Sequence, residues 1–440
     1  MLSKLLFTKI DNSQLIVFRF FFGLLISFES FGAIATGWVK ETLITPKFTF
    51  SFIGFEWLQP LPGNGMYFYF FIMGILGICI SLGYKYRFSI ISFTLMWICV
   101  YLMQKSSYNN HYYLLALISF LMCFFPANKG YSFDVKQRNE LQSNTMHAYV
   151  KWIIIAQVFL VYTYASIAKL YADWLDFGAI EILMKNRIDF PLIGTFLQQS
   201  WIYKTVGITG IVFDLLIVPA LLWKPTRKTA FIISIFFHLF NSVVFQIGIF
   251  PFMALAFTVF FFEPATIRKI FLKNKHLHFE KEIGSPTNKN IIGILISSYF
   301  IVQVIMPLRH HCIKDDVLWT EEGHRLSWRM MLRSRAGTIQ FKLVDKKNGS
   351  ALFVKLDDYL SKKQKRKVAA YPDFTWQFAQ YLKKEYAKDN MDIALYAVQS
   401  KVSINGRPYR AFIDPKIDLT EIKWNHFEHN EWIYPSKLGE

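Results

Sequence analysis

The run Tyr162-Thr163-Tyr164-Ala165-Ser166-Ile167-Ala168-Lys169-Leu170-Tyr171-Ala172-Asp173-Trp174 places a lysine at the end of an apolar segment that begins near Tyr149. A cation at that depth loses hydration, so ionisable groups in membrane segments are usually paired or functional. A lysine can answer the cost by giving up its proton, and the free amine is then a base or a nucleophile. The plainer alternative is snorkelling, in which the stem lies along the helix end and carries the ammonium to the surface beside Trp174. Asp173, one turn on, would hold the charged form if it paired with Lys169.

Three further polar groupings interrupt apolar sequence. Ser107-Tyr108-Asn109-Asn110-His111-Tyr112-Tyr113-Leu114 sets two amides and an imidazole at a helix start. They are either an ordinary cap or a set of donors and acceptors able to hold a quinone oxygen at the membrane surface. The tyrosines nearby suit a flat, lipid-soluble ring and equally suit an interfacial aromatic belt. Asp214 lies in a later run, and His238 and Asn241 follow at i, i+3, hence on one face. A clamp of hydrogen bonds between helices is the usual use of such residues. Arg19 and Glu29 share the first run, too far apart along a helix to pair, so each is expected to face the bundle interior.

The elements that must position these groups are membrane helices. Of 440 residues 53% are hydrophobic and only 18% charged, below the roughly 25% charged content of soluble domains. Nine apolar runs able to span fall at about 15–37, 66–83, 88–104, 111–126, 148–172, 205–223, 229–246, 248–262 and 291–308. Several are shorter than the roughly 20 residues a straight span needs, so bent or re-entrant elements are expected. The first run is long and reads as retained, not as a cleaved leader. A net charge of +18 raises nucleic acid as a partner, but in the first 308 residues the cations sit mostly in loops between apolar runs, so no nucleic-acid partner is expected. Loops on one side, which include Lys85, Arg87, Lys129, Lys136, Arg138, Lys224, Arg227, Lys228 and Lys281, are rich in them. The other side holds only Lys40, Lys47, Lys105, Lys185, Arg187 and Lys204. That asymmetry predicts an N-terminus inside, with Lys169 and everything after the ninth run outside. Cys79, Cys99, Cys123 and Cys312 show no metal or disulfide spacing, and no metal is expected.

Residues 309–440 change character, with 24 Lys+Arg against 17 Asp+Glu. Alternation predicts strands at Thr338–Val344 and Ala351–Leu356 around a Lys346-Lys347-Asn348-Gly349 turn, a helix over Tyr371–Lys388 and a strand over Ile393–Ile404. The expected fold class is therefore mostly α and polytopic, with about nine transmembrane helices in residues 1–308 followed by a small extracytoplasmic α+β domain in 309–440.

Several stretches, in this order, resemble the vitamin K-dependent gamma-glutamyl carboxylase family: Phe18–Leu25, Leu58-Gln59-Pro60-Leu61-Pro62, Asn109-Asn110-His111, Ala168–Trp174, Phe237–Gly248, Ser327–Arg335, Val402–Pro408 and Asp414–Asp418. Tyr171 stands where the family usually has an aspartate, and Arg333 where it has a histidine. The resemblance implies a bacterial-type member with a short C-terminus that couples epoxidation of vitamin K hydroquinone (phylloquinol or menaquinol) to carboxylation of glutamate in exported proteins. Oxygen and carbon dioxide are the co-substrates. A glutamate γ-carbon is far too weak an acid for a lysine to deprotonate, and in the family the oxygenated quinol supplies the stronger base. By the same match Lys169 starts the reaction on the quinol, and Asn110 and His111 contact it. Arg335, helped by Arg333 or Arg366, is expected to hold the substrate carboxylate through its planar fork, against the alternative that these are surface charges of a basic domain. Two other functions stay open: a quinol epoxidase that carboxylates nothing, and a proton-coupled transporter using Asp214, His238 and Lys169, which the lack of duplicated halves disfavours.

Overall fold

The structure, a computed structural model, describes residues 2–275 and 286–437, so Lys281 of the inner-loop set lies outside the described residues. The nine apolar runs all fall on helices: α1 (Ser13–Ala35), α2 (Gly65–Leu82), α3 (Tyr86–Met103), α4 (Asn110–Met122), α5 (Ala148–Ile167), α6 (Ser200–Leu222), α7 (Arg227–Phe240), α8 (Phe250–Phe257) and α9 (Lys289–Leu308). Helix is the form that satisfies every backbone group within one segment of chain in lipid. Among the described residues seven helices are long and apolar enough to span. An eighth arises if Phe250–Phe260 and Pro264–Phe271, bent by 119°, count as one broken span. The fourth run is the short one. Asn109 caps it by accepting from the Tyr112 amide at 2.7 Å, and it closes at Met122, leaving thirteen residues, or about 20 Å of helix. A π-helical turn, Asn241–Phe245, extends α7 and breaks the chain before α8.

Small residues bring α1 and α2 together. A Cβ on Gly23 would stand 2.3 Å from the Ser81 nitrogen, and one on Gly77 would stand 2.8 Å from the Ser27 nitrogen. Gly23 and Ser27, and Gly77 and Ser81, are each four apart, the spacing that lets membrane helices touch through their backbones. Arg19 is buried, as expected, and spends its donors on carbonyls: Ser81 at 3.2 Å, Ala127 at 2.8 Å and Tyr131 at 2.6 Å. Glu29 accepts from the Tyr112 hydroxyl at 2.6 Å.

Beyond α9 the chain forms a four-stranded antiparallel sheet in the order β2-β1-β3-β4, with β1 Arg335–Asp345, β2 Ala351–Phe353, β3 Ile393–Ile404 and β4 Arg410–Ala411. Phe341 and Leu343 of β1 and Leu395 of β3 face α11 (Pro372–Ala387) through Phe374, Phe378 and Leu382. Neither the short edge strand β4 nor the helix α10, Lys362–Ala370, is anticipated in the sequence. The signal for α10 stood there: Ser361 and Gln364 form a reciprocal capping box, the S-x-x-Q start pattern.

This domain rests on one end of the bundle. Phe50, from the loop after α1, enters its core 4.8 Å from Phe374. Gln377 Nε2 donates to the Ser51 carbonyl at 3.0 Å. Beyond α3, Lys105 pairs with Asp373, which also takes Arg325 at 2.8 Å. Beyond α5, Asp173 accepts from Asn405 at 2.8 Å and pairs with Arg407. Lys169 and the α+β region therefore share a face.

Burial alone would raise the Asp373 carboxyl, but the Arg325 and Lys105 cations outweigh it and hold the group at about 2, below its ordinary 3.8. A depressed carboxyl stabilises above its unfolded value and loses that contribution as pH falls through its folded one. Docking of the domain should thus hold down to about pH 4 and weaken between there and pH 2. Hydrogen exchange at Phe374–Phe378 across that range checks it, and Asp373→Asn should remove the pH step.

Candidate active site

Lys169 lies on the turn after α5, its amide donating to the Ser166 carbonyl at 3.0 Å. Its side chain turns inward. Lys169 Nζ donates to Asp214 Oδ2 of α6 at 2.5 Å and to the Ala165 carbonyl at 3.2 Å. It stands 5.6 Å from the centre of the Trp174 ring. Both side chains of the pair are over nine-tenths buried, so snorkelling is excluded, and Asp173 is engaged elsewhere by Arg407 and Asn405. Trp174 is fixed by donating to the Gly207 carbonyl at 3.2 Å, and Gly210 leaves room beside it, where a Cβ would only just touch Trp174 and Lys169.

The pair borders an apolar cavity of about 410 Å³ walled by aromatic and aliphatic side chains of α6, α7 and α8. His111, Tyr162, Thr205, Thr209 and Asn241 supply its other polar groups. The His111 ring stacks on Phe250, 4.3 Å between centres and 17° from parallel. Tyr162 shares a 2.9 Å hydrogen bond with His238 Nε2, and His238 Nδ1 has no partner among the described residues. The expected clamp thus divides: Asp214 goes to Lys169, His238 to Tyr162, and Asn241 to the cavity wall.

A second cavity of about 460 Å³ opens under the α+β domain. Its lining includes Lys105, Arg325, Arg329, Arg333 and Lys367 and no carboxylate. Lys105 and Arg325 are matched by Asp373, and Arg333 by Glu321, which it grips through two nitrogens. Among the described residues neither Arg329 nor Lys367 has a carboxylate partner. The Arg329 side chain makes one hydrogen bond among them, a 3.4 Å contact to His310 Nε2, and its buried Nε has no partner. Burial first, then repulsion from Arg333, pulls its guanidinium below the ordinary arginine value. Burial, reinforced by Arg333, Arg325 and Arg329, also pushes His324 well below the usual imidazole range, so it is neutral near pH 7. A cavity of this charge takes an anion.

The two cavities share His111, Phe245, Ile247, Met330 and Met331. The segment that carries the methionines is strained: Leu326, Trp328 and Met331 all have positive φ, at 63°, 57° and 54°. Non-glycine residues rarely adopt that region, and such strain gathers at functional sites. Trp328, fully buried and stacked on Tyr113 at 4.9 Å, anchors the segment, and Tyr171 ties it to the turn after Lys169 by donating to the Leu332 carbonyl.

Residues 7–265 match the model of the HTTM domain, and residues 288–438 match that of the vitamin K-dependent gamma-carboxylase lumenal domain. The chain belongs to the vitamin K-dependent gamma-carboxylase family. It is an integral membrane protein with a lumenal-type C-terminal domain, and the family implies vitamin K. No solved structure matches it significantly.

Within this family member the sequence-derived site residues separate. Lys169 and His111 meet in the apolar cavity. Asn110 lines only the cationic one, and its amide is engaged, accepting from Tyr108 at 2.8 Å and donating to the Arg329 carbonyl at 3.1 Å. Arg333 reaches the cationic cavity already paired. Arg335 and Arg366 do not reach it. Arg335 is buried, giving its donors to the Ala370 and Leu318 carbonyls at 2.5 and 2.8 Å, with burial lowering it to about 10. Arg366 is exposed on α10. A largely unengaged fork on the cationic cavity belongs to Arg329, whose place there no spacing signalled. Asp214 as partner of Lys169 was equally hidden, since 45 residues separate them. Among the described residues no group of three or more His, Cys, Asp or Glu could hold a metal.

Removing one member of a buried ion pair strands the other, at a cost of about 3–5 kcal/mol, whereas replacing both by apolar groups is often close to neutral. Asp214→Ala should therefore lower thermal stability in detergent more than Lys169→Met with Asp214→Leu does. Equal melting temperatures for the single and double variants would show that the pair is solvated.

Proposed function

We propose that the protein carboxylates glutamate γ-carbons of exported proteins in a reaction coupled to quinol epoxidation, with the quinol in the apolar cavity and the glutamate in the cationic one. The observation that carries this reading is the Lys169 amine, buried against Asp214 on the wall of a cavity that backs onto an anion-accepting one. The apolar cavity suits a lipid-soluble ring: Phe250 and Trp174 offer flat faces, and Tyr162, His111 and Asn241 offer polar atoms. When bound, vitamin K hydroquinone with oxygen supplies the strong base that a lysine cannot provide.

The chain's own residues do the rest. Lys169 Nζ can pass its proton to Asp214 Oδ2 across the 2.5 Å contact. Covering the pair with an apolar ring dehydrates it, which penalises the two charges and favours the neutral amine beside the neutral acid. That amine takes a quinol proton. His111, held flat by Phe250, orients the ring. Arg329 meets the glutamate carboxylate through its fork, and Met330 and Met331, with Phe245 and Ile247, keep water from the γ-carbon where the cavities meet. The γ-carbon, its proton taken up by the base that quinol and oxygen would supply, would then bond carbon dioxide to form the second carboxylate. The bilayer, a quinol and an acidic protein or peptide segment are the partners. The N-terminus is inside and the α+β domain outside.

Lys169→Ala should abolish both epoxidation and carbon-dioxide incorporation while the folded protein still binds quinol, and Lys169→Arg should fail equally because a guanidinium keeps its proton. Wild-type epoxidation by Lys169→Ala would sink the mechanism. Epoxidation by the wild type with no label incorporated into any glutamyl peptide would point to an epoxidase alone. Arg329→Gln should raise the KM for a glutamyl peptide about tenfold or more, the effect of losing one charge-assisted hydrogen bond, with quinol affinity unchanged. Reporter fusions after Lys136 and Lys228 should read inside, and one at the C-terminus outside.

A further inference from the structure

A third cavity, about 240 Å³, lies between α1, α2, α3 and α4; it shares no lining residue with the apolar chamber and meets the cationic one only at Tyr108 and Tyr112. Glu29 lines it, with Trp38, Phe70, Trp97, Tyr101 and Tyr112 around it. These rings stand at steep angles to one another: Trp38 and Phe70 at 56°, Trp97 and Tyr112 at 85°. The cavity is thus walled by several ring faces, not by one stacked layer. Glu29 Oε1 takes the Tyr112 hydroxyl, and Oε2 has no partner among the described residues. The Tyr101 hydroxyl is buried with no partner either. A carboxylate held among aromatic faces is costly unless it takes up a proton or a cation joins it, and ring faces attract organic ammonium groups through their quadrupoles. The size argues for a small occupant, being below the roughly 300–1,000 Å³ of pockets for drug-sized ligands. Phe28, on the same cavity, is 68% exposed on the outer surface of the helix bundle. At the rim Lys363 of the α+β domain donates to Ser107 Oγ at 2.8 Å, so a fixed cation stands where an anion next to the ammonium would lie.

We propose that this cavity binds the ammonium end of a zwitterionic phospholipid headgroup, with Glu29 as its counter-ion and Lys363 near its phosphate. Glu29 is then a ligand-binding residue and not only a hydrogen-bond partner joining α1 to α4. The site needs neither Lys169 nor the quinol, so its test is independent of the reaction.

The test uses the full chain. In detergent, choline chloride is titrated and binding is followed by saturation transfer to its methyl protons, with potassium chloride as competitor. The expected result is saturable binding that potassium does not displace and that Glu29→Gln weakens about tenfold or more, as loss of a charged partner does. Trp38→Leu should weaken it several-fold through the lost cation–π face, and decides the question if Glu29→Gln does not fold. In the second arm the protein is released from nanodiscs of phosphatidylcholine or of phosphatidylglycerol, and retained lipid is identified by native mass spectrometry. Retention of phosphatidylcholine alone, lost in Glu29→Gln, supports the headgroup. Choline binding without lipid retention would overturn the lipid assignment in favour of a free amine. No choline binding, or binding unchanged in both variants, would overturn the site.

Discussion

The contact between Lys169 and Asp214 is the constraint on which the rest of the site turns. Two charges this deep are tolerated because they meet, and meeting requires that the turn after α5 and the middle of α6 be held together. Trp174 on the Gly207 carbonyl, the space beside Gly210 and the tether from Tyr171 to Leu332 all serve that registration. Asp173 contributes by looking the other way. Occupied by Arg407 and Asn405 of the α+β domain, it leaves Lys169 to a single carboxylate on the apolar side. A lysine shared between two acids would hold its proton far more firmly.

The α+β domain supplies the second half of the site and the wall between the halves. Its strained segment from Leu326 to Met331 lies against the bundle, anchored by Trp328 on Tyr113. The buried cluster of Lys105, Asp373 and Arg325 fixes the domain where that segment must be. Charge is partitioned accordingly: the membrane chamber holds one compensated pair, and the outer chamber holds an excess of guanidinium and ammonium groups. A larger cavity, about 780 Å³ between α1, α7, α8 and the Pro264–Phe271 helix, has Lys228 as its one charged lining residue among the described residues and takes no part in this arrangement.

Much of this was readable in the sequence where local physics decides. The apolar runs mark the helices, the alternating runs mark β3 from end to end and β1 from its fourth residue, and Lys169 and His111 stand out by type and position. What escaped was set by distance along the chain. Asp214 could be seen as polar but not as the partner of Lys169. Arg335 carried the motif, yet its place in β1 turns it into the domain core, while Arg329, on an irregular segment, faces the cavity. Helix α10 is a different case: its capping box is local, but the lysine-rich turn that follows shows little apolar periodicity.

Arg19 has a consequence for how the protein is made. The carbonyls that satisfy it belong to Ser81, Ala127, Gly130 and Tyr131, all of which leave the ribosome after α1. The first helix therefore enters the bilayer with an unmet guanidinium, a load of up to about 3 kcal/mol on insertion scales, set against its long phenylalanine-rich remainder. The arginine is coordinated only once the chain has been synthesised past residue 131. Seating of the first segment is thus a late event in biogenesis, and a chain truncated before Tyr131 would present the quality-control machinery with an incompletely anchored helix.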